Sequence, residues 1–133
     1  MSTTIQGRAE ELLSAANFCN VATLRRDGSV HLAPVWVDVE NGMPVLNTAE
    51  GRAWPKNLER DPRVTLTVQN IENPYEYVEI RGRVAERSHE GAEAHIDKLA
   101  KKYLGKDSYP FRQPGERRVI IRVEPETVRV QGG

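Results

Sequence analysis

The chain has 133 residues, and its 19 lysines and arginines are balanced by 19 aspartates and glutamates. This length suits one domain, residues 1–133, which would bury roughly two-thirds of the surface of the unfolded chain. Balanced charge argues against a nucleic-acid partner, and no apolar run approaches the roughly 20 residues that cross a bilayer. With one cysteine, no signal peptide and no glycosylation acceptor, the sequence predicts a cytoplasmic protein without a nucleic-acid or membrane partner.

The N-terminal half predicts one helix followed by a three-stranded meander. Apolar residues recur at helical spacing in Ile5–Ala16, which indicates an amphipathic helix. Strands are predicted at Phe18–Leu24, Val30–Val39 and Met43–Thr48. Asp27-Gly28 and Asn41-Gly42 separate these strands, and both dipeptides favour a type I′ turn. Tight hairpins at both places would make an antiparallel meander.

The C-terminal half adds strands and a second helix. The strands are predicted at Val64–Gln69, Tyr75–Glu86, Arg118–Val123 and Thr127–Val130, with Pro125 between the last two. Ser88 is a candidate N-cap for a helix that ends at Tyr103. The segments Asn70–Pro74 and Gly105–Glu116 are predicted as flexible loops. Six or seven antiparallel strands with two or three helices favour a mainly β fold, a small barrel without exposed sheet edges.

The segment Asn47–Leu58 is the strongest candidate for a binding site. It follows a strand, contains a glycine, and places Pro55 where it could occupy the first turn of a short helix. The N-terminus of such a helix offers free N–H groups and a partial positive charge, and Arg52 and Lys56 would add charge-assisted hydrogen bonds. A phosphate could therefore bind here. The alternative is a solvated basic turn whose arginines pair with neighbouring carboxylates.

Other reactive side chains have weaker support. His89 and Glu93 are spaced as two metal ligands could be, but no third ligand is evident, so no metal site is predicted. His31 lies on the second predicted strand without a visible partner. Cys19 stands in an apolar strand, where a buried unreactive thiol is expected. The motifs of P-loop, Rossmann and α/β-hydrolase sites do not occur.

Aromatic residues are few, and three of them fall near the anion segment or at predicted strand rims, namely Trp36, Trp54 and Tyr77. Aromatic residues on strands usually fill a core. A wall of aromatic rings beside a phosphate site is also what a flavin-like ring system would need. Both interpretations stay open for each of the three residues.

Three segments resemble, in order and spacing, the split-barrel superfamily of pyridoxamine 5′-phosphate oxidase-like proteins. They are the hairpin Val21–Trp36, the basic segment Gly51–Val64 and the strand Tyr77–Val84. The resemblance covers roughly residues 10 to 130 and implies a split β-barrel of the FMN-binding type. Within the superfamily, the short chain and the run Asn57-Leu58-Glu59-Arg60-Asp61-Pro62-Arg63 most resemble the F420-type deazaflavin-dependent reductases.

The resemblance to these reductases implies a homodimer that binds coenzyme F420 in a groove between its subunits. The residues it places at the cofactor phosphate are Arg52, Lys56, Asn57, Thr48, Ala49 and Gly51. The residues it places beside the ring system are Pro34, Val35, Trp36 and Tyr77. The sequence departs from some relatives at Trp54, where they carry a lysine, so one cation fewer is expected at the phosphate. The adjacent Arg-Lys pair of the FMN-using oxidases is also absent.

The function that this resemblance implies is transfer of a hydride from reduced F420 to an unsaturated or quinone-like small-molecule acceptor. The cofactor would carry the difficult chemistry, so no catalytic dyad is required. The catalytic residues stay unknown, with His31 and Tyr77 as candidates to supply a proton. The alternatives are an FMN-binding oxidoreductase related to pyridoxamine 5′-phosphate oxidase, a non-enzymatic carrier of F420 or flavin, and a barrel dimer whose groove is vestigial.

Overall fold

A computed structural model describes residues 2–132 as seven strands and three helices. The helices are α1 (Gly7–Ser14), α2 (Ala53–Arg60) and α3 (Ala92–Leu104). The strands are β1 (Cys19–Leu24), β2 (Val30–Val35), β3 (Val37–Glu40), β4 (Met43–Ala49), β5 (Arg63–Gln69), β6 (Tyr77–Ser88) and β7 (Arg118–Gln131). Neighbouring strands are antiparallel, in the order β2-β1-β5-β6-β7-β4-β3. The predicted mainly β fold is confirmed. Within the described residues, every helix is too short or too polar to cross a membrane.

The sheet curls into a split barrel because its two end strands are consecutive in the chain. β2 ends at Val35 and β3 begins at Val37, so Trp36 alone separates the two ends of the strand order. β2 pairs with β1, whereas β3 pairs with β4. The single strand predicted over Val30–Val39 is therefore divided at Trp36. Both predicted hairpins form, but they lie at opposite ends of the strand order instead of in one continuous three-stranded meander. A change of pairing partner at one residue leaves the apolar alternation intact, so the sequence pattern could not reveal it.

The two predicted type I′ turns have different geometries. At Asn41-Gly42 both residues are left-handed, with φ values of 53° and 75°, as the type I′ turn requires. At Asp27-Gly28 only the glycine is left-handed, with a φ of 85°. The backbone N–H of Arg25 donates to the carbonyl oxygen of Ser29 at 2.9 Å, which closes a three-residue loop. The prediction for this second turn is wrong, because a longer loop needs only one left-handed residue.

β7 runs unbroken through Pro125, contrary to the prediction that the strand ends there. Its register with β6 shifts between Arg81 and Gly82, and Gly82 lies opposite Pro125. Proline is tolerated at such a bulge because its missing N–H is not needed for the ladder. Gly82 permits the close approach of the two strands, since an added Cβ would overlap the carbonyl oxygen of Glu124.

The helices cover different parts of the barrel. α1 places Leu12 and Leu13 in the main core, and both side chains are fully buried. α2 packs on β1 and β2. α3 packs on β4 and β7, where its Ala92 joins Val45 and Ile120 in a smaller cluster. The predicted N-cap of α3, Ser88, instead ends β6, and the left-handed Gly91 is the N-cap.

Candidate functional site

A basic groove runs along α2 beside the loop that joins β1 to β2. It encloses about 880 Å³ and is lined by Arg25, Arg26, Asp27, Ala53, Lys56, Asn57, Glu59 and Arg60. Of the residues predicted at the phosphate, Lys56 and Asn57 line this groove. The loop arginines Arg25 and Arg26 also line the groove, although no local pattern in the sequence indicates this. They come close because α2 packs against the hairpin, which is a long-range contact.

The first turn of α2 lies within the segment that is predicted to bind an anion. Pro55 is the third residue of the helix, and Arg52 is its N-cap residue with extended backbone. Because proline lacks an N–H, Ala53 and Trp54 supply the free N–H groups of this turn. No acidic residue lies in the first turn of this helix. The partial positive charge of the helix N-terminus is therefore not cancelled by its own side chains.

The polar side chains of the groove differ in how far they are bound to the protein itself. Arg60 donates to the carbonyl oxygen of Leu24 and to Asn57 Oδ1, the latter at 3.2 Å. Asn57 donates to Thr23 Oγ1 at 3.1 Å. These bonds fix α2 on β1. Lys56 is exposed and has no hydrogen-bond or ion-pair partner within residues 2–132, so its ammonium group is available to a ligand.

A second cavity, with aromatic walls, lies at the other side of the α2 N-terminus. Its volume is about 250 Å³, and its lining is Phe18, Pro34, Val35, Trp36, Asn47, Arg52, Ile96, Tyr109, Phe111 and Arg118. Four predicted site residues thus share one cavity: Pro34, Val35, Trp36 and Arg52. Arg52 lines this cavity and the next residue, Ala53, lines the basic groove. The cavity and the groove therefore lie on either side of the point where α2 begins.

The aromatic rings around this cavity contact one another. Trp36 stacks on Tyr103 with ring centroids 5.2 Å apart and planes at 5°, and Tyr103 also stacks on Phe18 at 5.8 Å. Tyr109 meets Trp36 edge to face at 6.0 Å and Phe111 at 5.7 Å. Tyr103 comes from α3, and Tyr109 and Phe111 come from the loop that follows it. These residues could not be identified from the sequence, because an aromatic wall assembled from distant segments leaves no local pattern.

A buried arginine lies in the wall of the same cavity. The Arg118 side chain is 2% exposed. It donates from Nε to Asn47 Oδ1 at 2.9 Å and from Nη1 to Glu116. Its guanidinium lies over the ring of Tyr109, 5.1 Å from the centroid. Glu116 also pairs with Arg52 at 3.5 Å, so one carboxylate joins the arginine at the rim to the arginine in the wall.

Asn47 connects this arginine to a second polar pair. Its Nδ2 donates to the backbone carbonyl of Ala92 at 2.9 Å and to His95 Nδ1 at 3.0 Å. Since Nδ1 accepts, the neutral imidazole carries its proton on Nε2, which lies 3.8 Å from Asp38 Oδ2. Asp38 also pairs with Lys98 at 3.1 Å. A series of polar side chains therefore extends from the cavity wall through Asn47 and His95 towards Asp38 and Lys98.

The carboxylates of this network are held in their ionised form. Burial raises the pKa of Asp38, but the nearby side chain of His95, a hydrogen bond from the backbone N–H of Val39 and the ammonium group of Lys98 outweigh it, so the pKa lies well below its usual range. Burial likewise opposes ionisation of Glu116, yet a backbone N–H and Arg118 lower its pKa overall. Both groups are charged at neutral pH, which fixes the charges around the cavity.

The remaining predicted site residues lie outside both cavities. Thr48 and Ala49 are buried in β4, at 1% and 5% exposure, and Thr48 Oγ1 finds no partner in residues 2–132. Gly51 is exposed in the turn before α2, with a φ of 95°. Tyr77 begins β6 opposite Gln69, whereas α2 leads into the other end of β5. Within one chain, the structure therefore keeps Tyr77 away from the α2 site.

Two of the other candidate residues, Cys19 and Trp54, are buried in the main core. Burial raises the pKa of Cys19 to about 12, as expected of an unreactive thiol. Trp54 is 4% exposed and packs in the main core, so the core interpretation applies to this residue. His31 is half-buried on β2 and lines neither the groove nor the aromatic cavity.

The candidate metal pair His89 and Glu93 is separated in the structure. His89 precedes α3 and its Nε2 bonds to Glu50 at 2.9 Å. Glu93 pairs instead with Arg112 at 2.8 Å. Over residues 2–132, no group of three or more histidine, cysteine, aspartate or glutamate side chains could hold a metal ion.

Comparisons with known proteins agree with this architecture. Among solved structures, an F420 reductase superposes with a TM-score of 0.79 at 28% identity, over 90% of this chain and 94% of that one. A conserved hypothetical protein from Mycobacterium tuberculosis shares the fold, with a TM-score of 0.71, 21% identity and coverage of 96% and 86%. So does General Stress Protein 26 from Bacillus anthracis, with a TM-score of 0.67, 17% identity and coverage of 91% and 88%. No curated protein matches the chain.

A family model gives the assignment. The model described as pyridoxamine 5′-phosphate oxidase matches residues 5–132, which is almost the whole chain. This match and the split barrel agree with the resemblance seen in the sequence. The chain belongs to the pyridoxamine 5′-phosphate oxidase family.

Proposed function

We propose that this protein is an F420H2-dependent reductase, which transfers a hydride from reduced coenzyme F420 to an unsaturated or quinone-like organic acceptor. The observation that carries the proposal is the likeness to an F420 reductase over 90% of the chain at 28% identity. Membership of the pyridoxamine 5′-phosphate oxidase family supports an oxidoreductase that uses a flavin or deazaflavin.

The residues around the start of α2 fit a cofactor with a phosphate and a planar ring. Lys56, with Arg25 and Arg26 beside it in the groove, would hold the phosphate together with the first N–H groups of α2. Trp36 and Tyr109 would face the ring in the aromatic cavity. Because the groove and the cavity lie on either side of the N-terminus of α2, one molecule could extend from one to the other.

The protein's part in the reaction is to bind, orient and exclude water. When bound, the reduced deazaflavin supplies the hydride. Apolar side chains in the cavity wall, such as Trp36 and Phe111, would pack against the ring, limit its contact with water and position the acceptor beside it. Neither His31 nor Tyr77 lines the basic groove or the aromatic cavity of its own chain. In this proposal, either residue would therefore act as proton donor only from a second subunit.

A homodimer is part of this proposal. Val30 and Leu32 on β2 are 56% and 64% exposed, and Pro34 on the same side of the strand is also exposed. Their neighbours across the β1–β2 ladder are Leu24 and Ala22, both half-buried. An uncovered apolar strip of this kind is typical of a surface that packs against a second copy.

Replacing Leu32 with glutamate should therefore convert a dimer of two 15.0 kDa chains into a monomer. In a two-fold interface the substitution adds a desolvated carboxylate to each subunit, and both are buried without a partner. Sedimentation at micromolar concentration measures the change. Ile71→Glu is the matched control, because Ile71 is equally exposed at 64% but lies in the β5–β6 loop, away from the strip. A wild-type protein that sediments as one chain would contradict the dimer.

Titrating the purified protein separately with F420 and with FMN tests the proposed cofactor. We expect F420 to quench the fluorescence of Trp36 with an affinity about tenfold or more above that of FMN. Micromolar binding of FMN without binding of F420 would replace the proposal with the FMN-dependent alternative. A carrier would bind F420 but would not speed oxidation of its reduced form by a panel of quinones and enones.

A further inference from the structure

The aromatic cavity contains a charge that hydride transfer between rings does not require. Arg118 lines this cavity although its side chain is 2% exposed. Burying a guanidinium is costly unless its donors are occupied. Asn47 and Glu116 occupy Nε and Nη1, whereas Nη2 donates to none of residues 2–132. A buried arginine with an open donor in a cavity wall is suited to an anionic oxygen of a ligand.

We propose that the aromatic cavity binds a planar ring that carries an ionised oxygen, and that Arg118 selects this charge. The inference rests on the proposed function for the identity of the ligand, but its physical basis is the cavity itself. Trp36 and Tyr109 meet edge to face at 87° in the lining of this cavity, so a flat ring that enters it would contact their aromatic surfaces. Such a ring presents its charged edge to the guanidinium while its faces meet apolar walls.

The charges at the cavity favour a ligand with one negative charge. Arg118 and the rim residue Arg52 share the single carboxylate of Glu116, so these three groups sum to one positive charge. The Arg52 side chain is 51% exposed, and its Nη2 lies 3.5 Å from Glu116 Oε1, which is long for an ion pair. Such a weak contact can break so that Arg52 turns towards a ligand. His95 and Asp38 lie behind Asn47, and Lys98 offsets the negative charge of Asp38 at 3.1 Å, so this group adds no net charge to the cavity.

Two molecules could bring such a ring to the site. One is the deazaflavin of the proposed cofactor, whose ring carries an ionisable hydroxyl group. The other is an acceptor that is itself acidic, such as a hydroxyquinone. Both present the same chemistry to Arg118, namely a flat conjugated ring with a negative oxygen at its edge.

A pair of redox-inert probes tests the proposal, 2-naphthoate and its neutral analogue 2-naphthamide. Isothermal titration calorimetry of the wild-type protein should show naphthoate binding about tenfold more tightly than the amide. Arg118→Met should abolish this preference and leave the affinity for the amide within about twofold. Glu116→Gln should strengthen naphthoate binding about threefold or more, because it removes the competing carboxylate.

Glu116→Gln keeps the proposal testable if Arg118→Met misfolds, because a disrupted cavity would not gain affinity for naphthoate alone. Arg81→Met is the matched control, since Arg81 lies on β6 and does not line this cavity. Equal binding of the two probes to the wild type, or a preference that survives Arg118→Met, would overturn the proposal.

Addition of F420 then identifies which molecule brings the ring. If F420 displaces naphthoate, Arg118 recognises the cofactor ring. If both bind together, Arg118 recognises the acceptor, and in either case the cavity selects the charge as proposed. A protein that prefers naphthoate but does not bind F420 keeps the charge-selective cavity and loses the proposed function, so the two failures are distinguishable.

Discussion

A Gly82→Ala variant is expected to lose about 3 kcal/mol or more of its free energy of unfolding. A Cβ at this position would overlap the carbonyl oxygen of Glu124 and lie 3.0 Å from its carbon and 3.1 Å from Pro125 Cα. All three atoms belong to the backbone of β7, so no side chain can move aside. Since β6 and β7 lie in the middle of the strand order, their separation would disturb the pairing on both sides.

Denaturant unfolding followed by circular dichroism measures this loss. Gly28→Ala provides the comparison, because no atom lies within 4 Å of a Cβ there and only the left-handed φ of 85° opposes the change. That variant should lose about 1 kcal/mol. Similar losses at the two glycines would mean that β6 and β7 can separate at little cost, contrary to the close approach at Glu124.

The strand that contains Gly82 was predictable, but its pairing was not. The alternation of Val78, Ile80 and Val84 with polar residues is a local property, and it identifies β6 from the sequence alone. The bulge opposite Pro125 depends on the register between two distant strands. Pro125 therefore predicted a strand end, because proline cannot donate to a regular ladder, and the prediction failed where the ladder is irregular. The division of the strand at Trp36 escaped prediction for the same reason.

The residues of the candidate site also differ in whether the sequence could identify them. Lys56 and Asn57 stand on one short helix and both line the basic groove. The spacing of charge, glycine and proline pointed to Lys56 and the family resemblance added Asn57, and their role at a phosphate stays a prediction. Arg118 and Tyr109 come from separate segments and were missed. One sequence signal pointed to Arg118, since a charged residue opens the apolar run Val119–Ile121 of β7. Its burial depends on Asn47 and Glu116, which a pattern within one strand cannot show.

A Lys56→Glu variant is expected to bind F420 about a hundredfold more weakly than the wild type. In the proposed complex the change would remove a charge-assisted hydrogen bond to the phosphate and place a negative charge beside it. The fold should be unaffected, because Lys56 is exposed and without a partner in the described chain. Fluorescence titration gives the affinity, and a thermal melt confirms that the variant is folded.

The control for Lys56→Glu is Lys106→Glu, which changes the net charge of the chain by the same amount. Lys106 is exposed in the loop after α3 and lines neither the groove nor the aromatic cavity. A general repulsion of the anionic cofactor would weaken binding equally in both variants, and added salt would reduce it equally. A loss confined to Lys56→Glu places the phosphate at α2, because only the position of the charge differs between the variants. If Lys56→Glu binds F420 within twofold of the wild type, the phosphate lies elsewhere and α2 is a solvated basic helix.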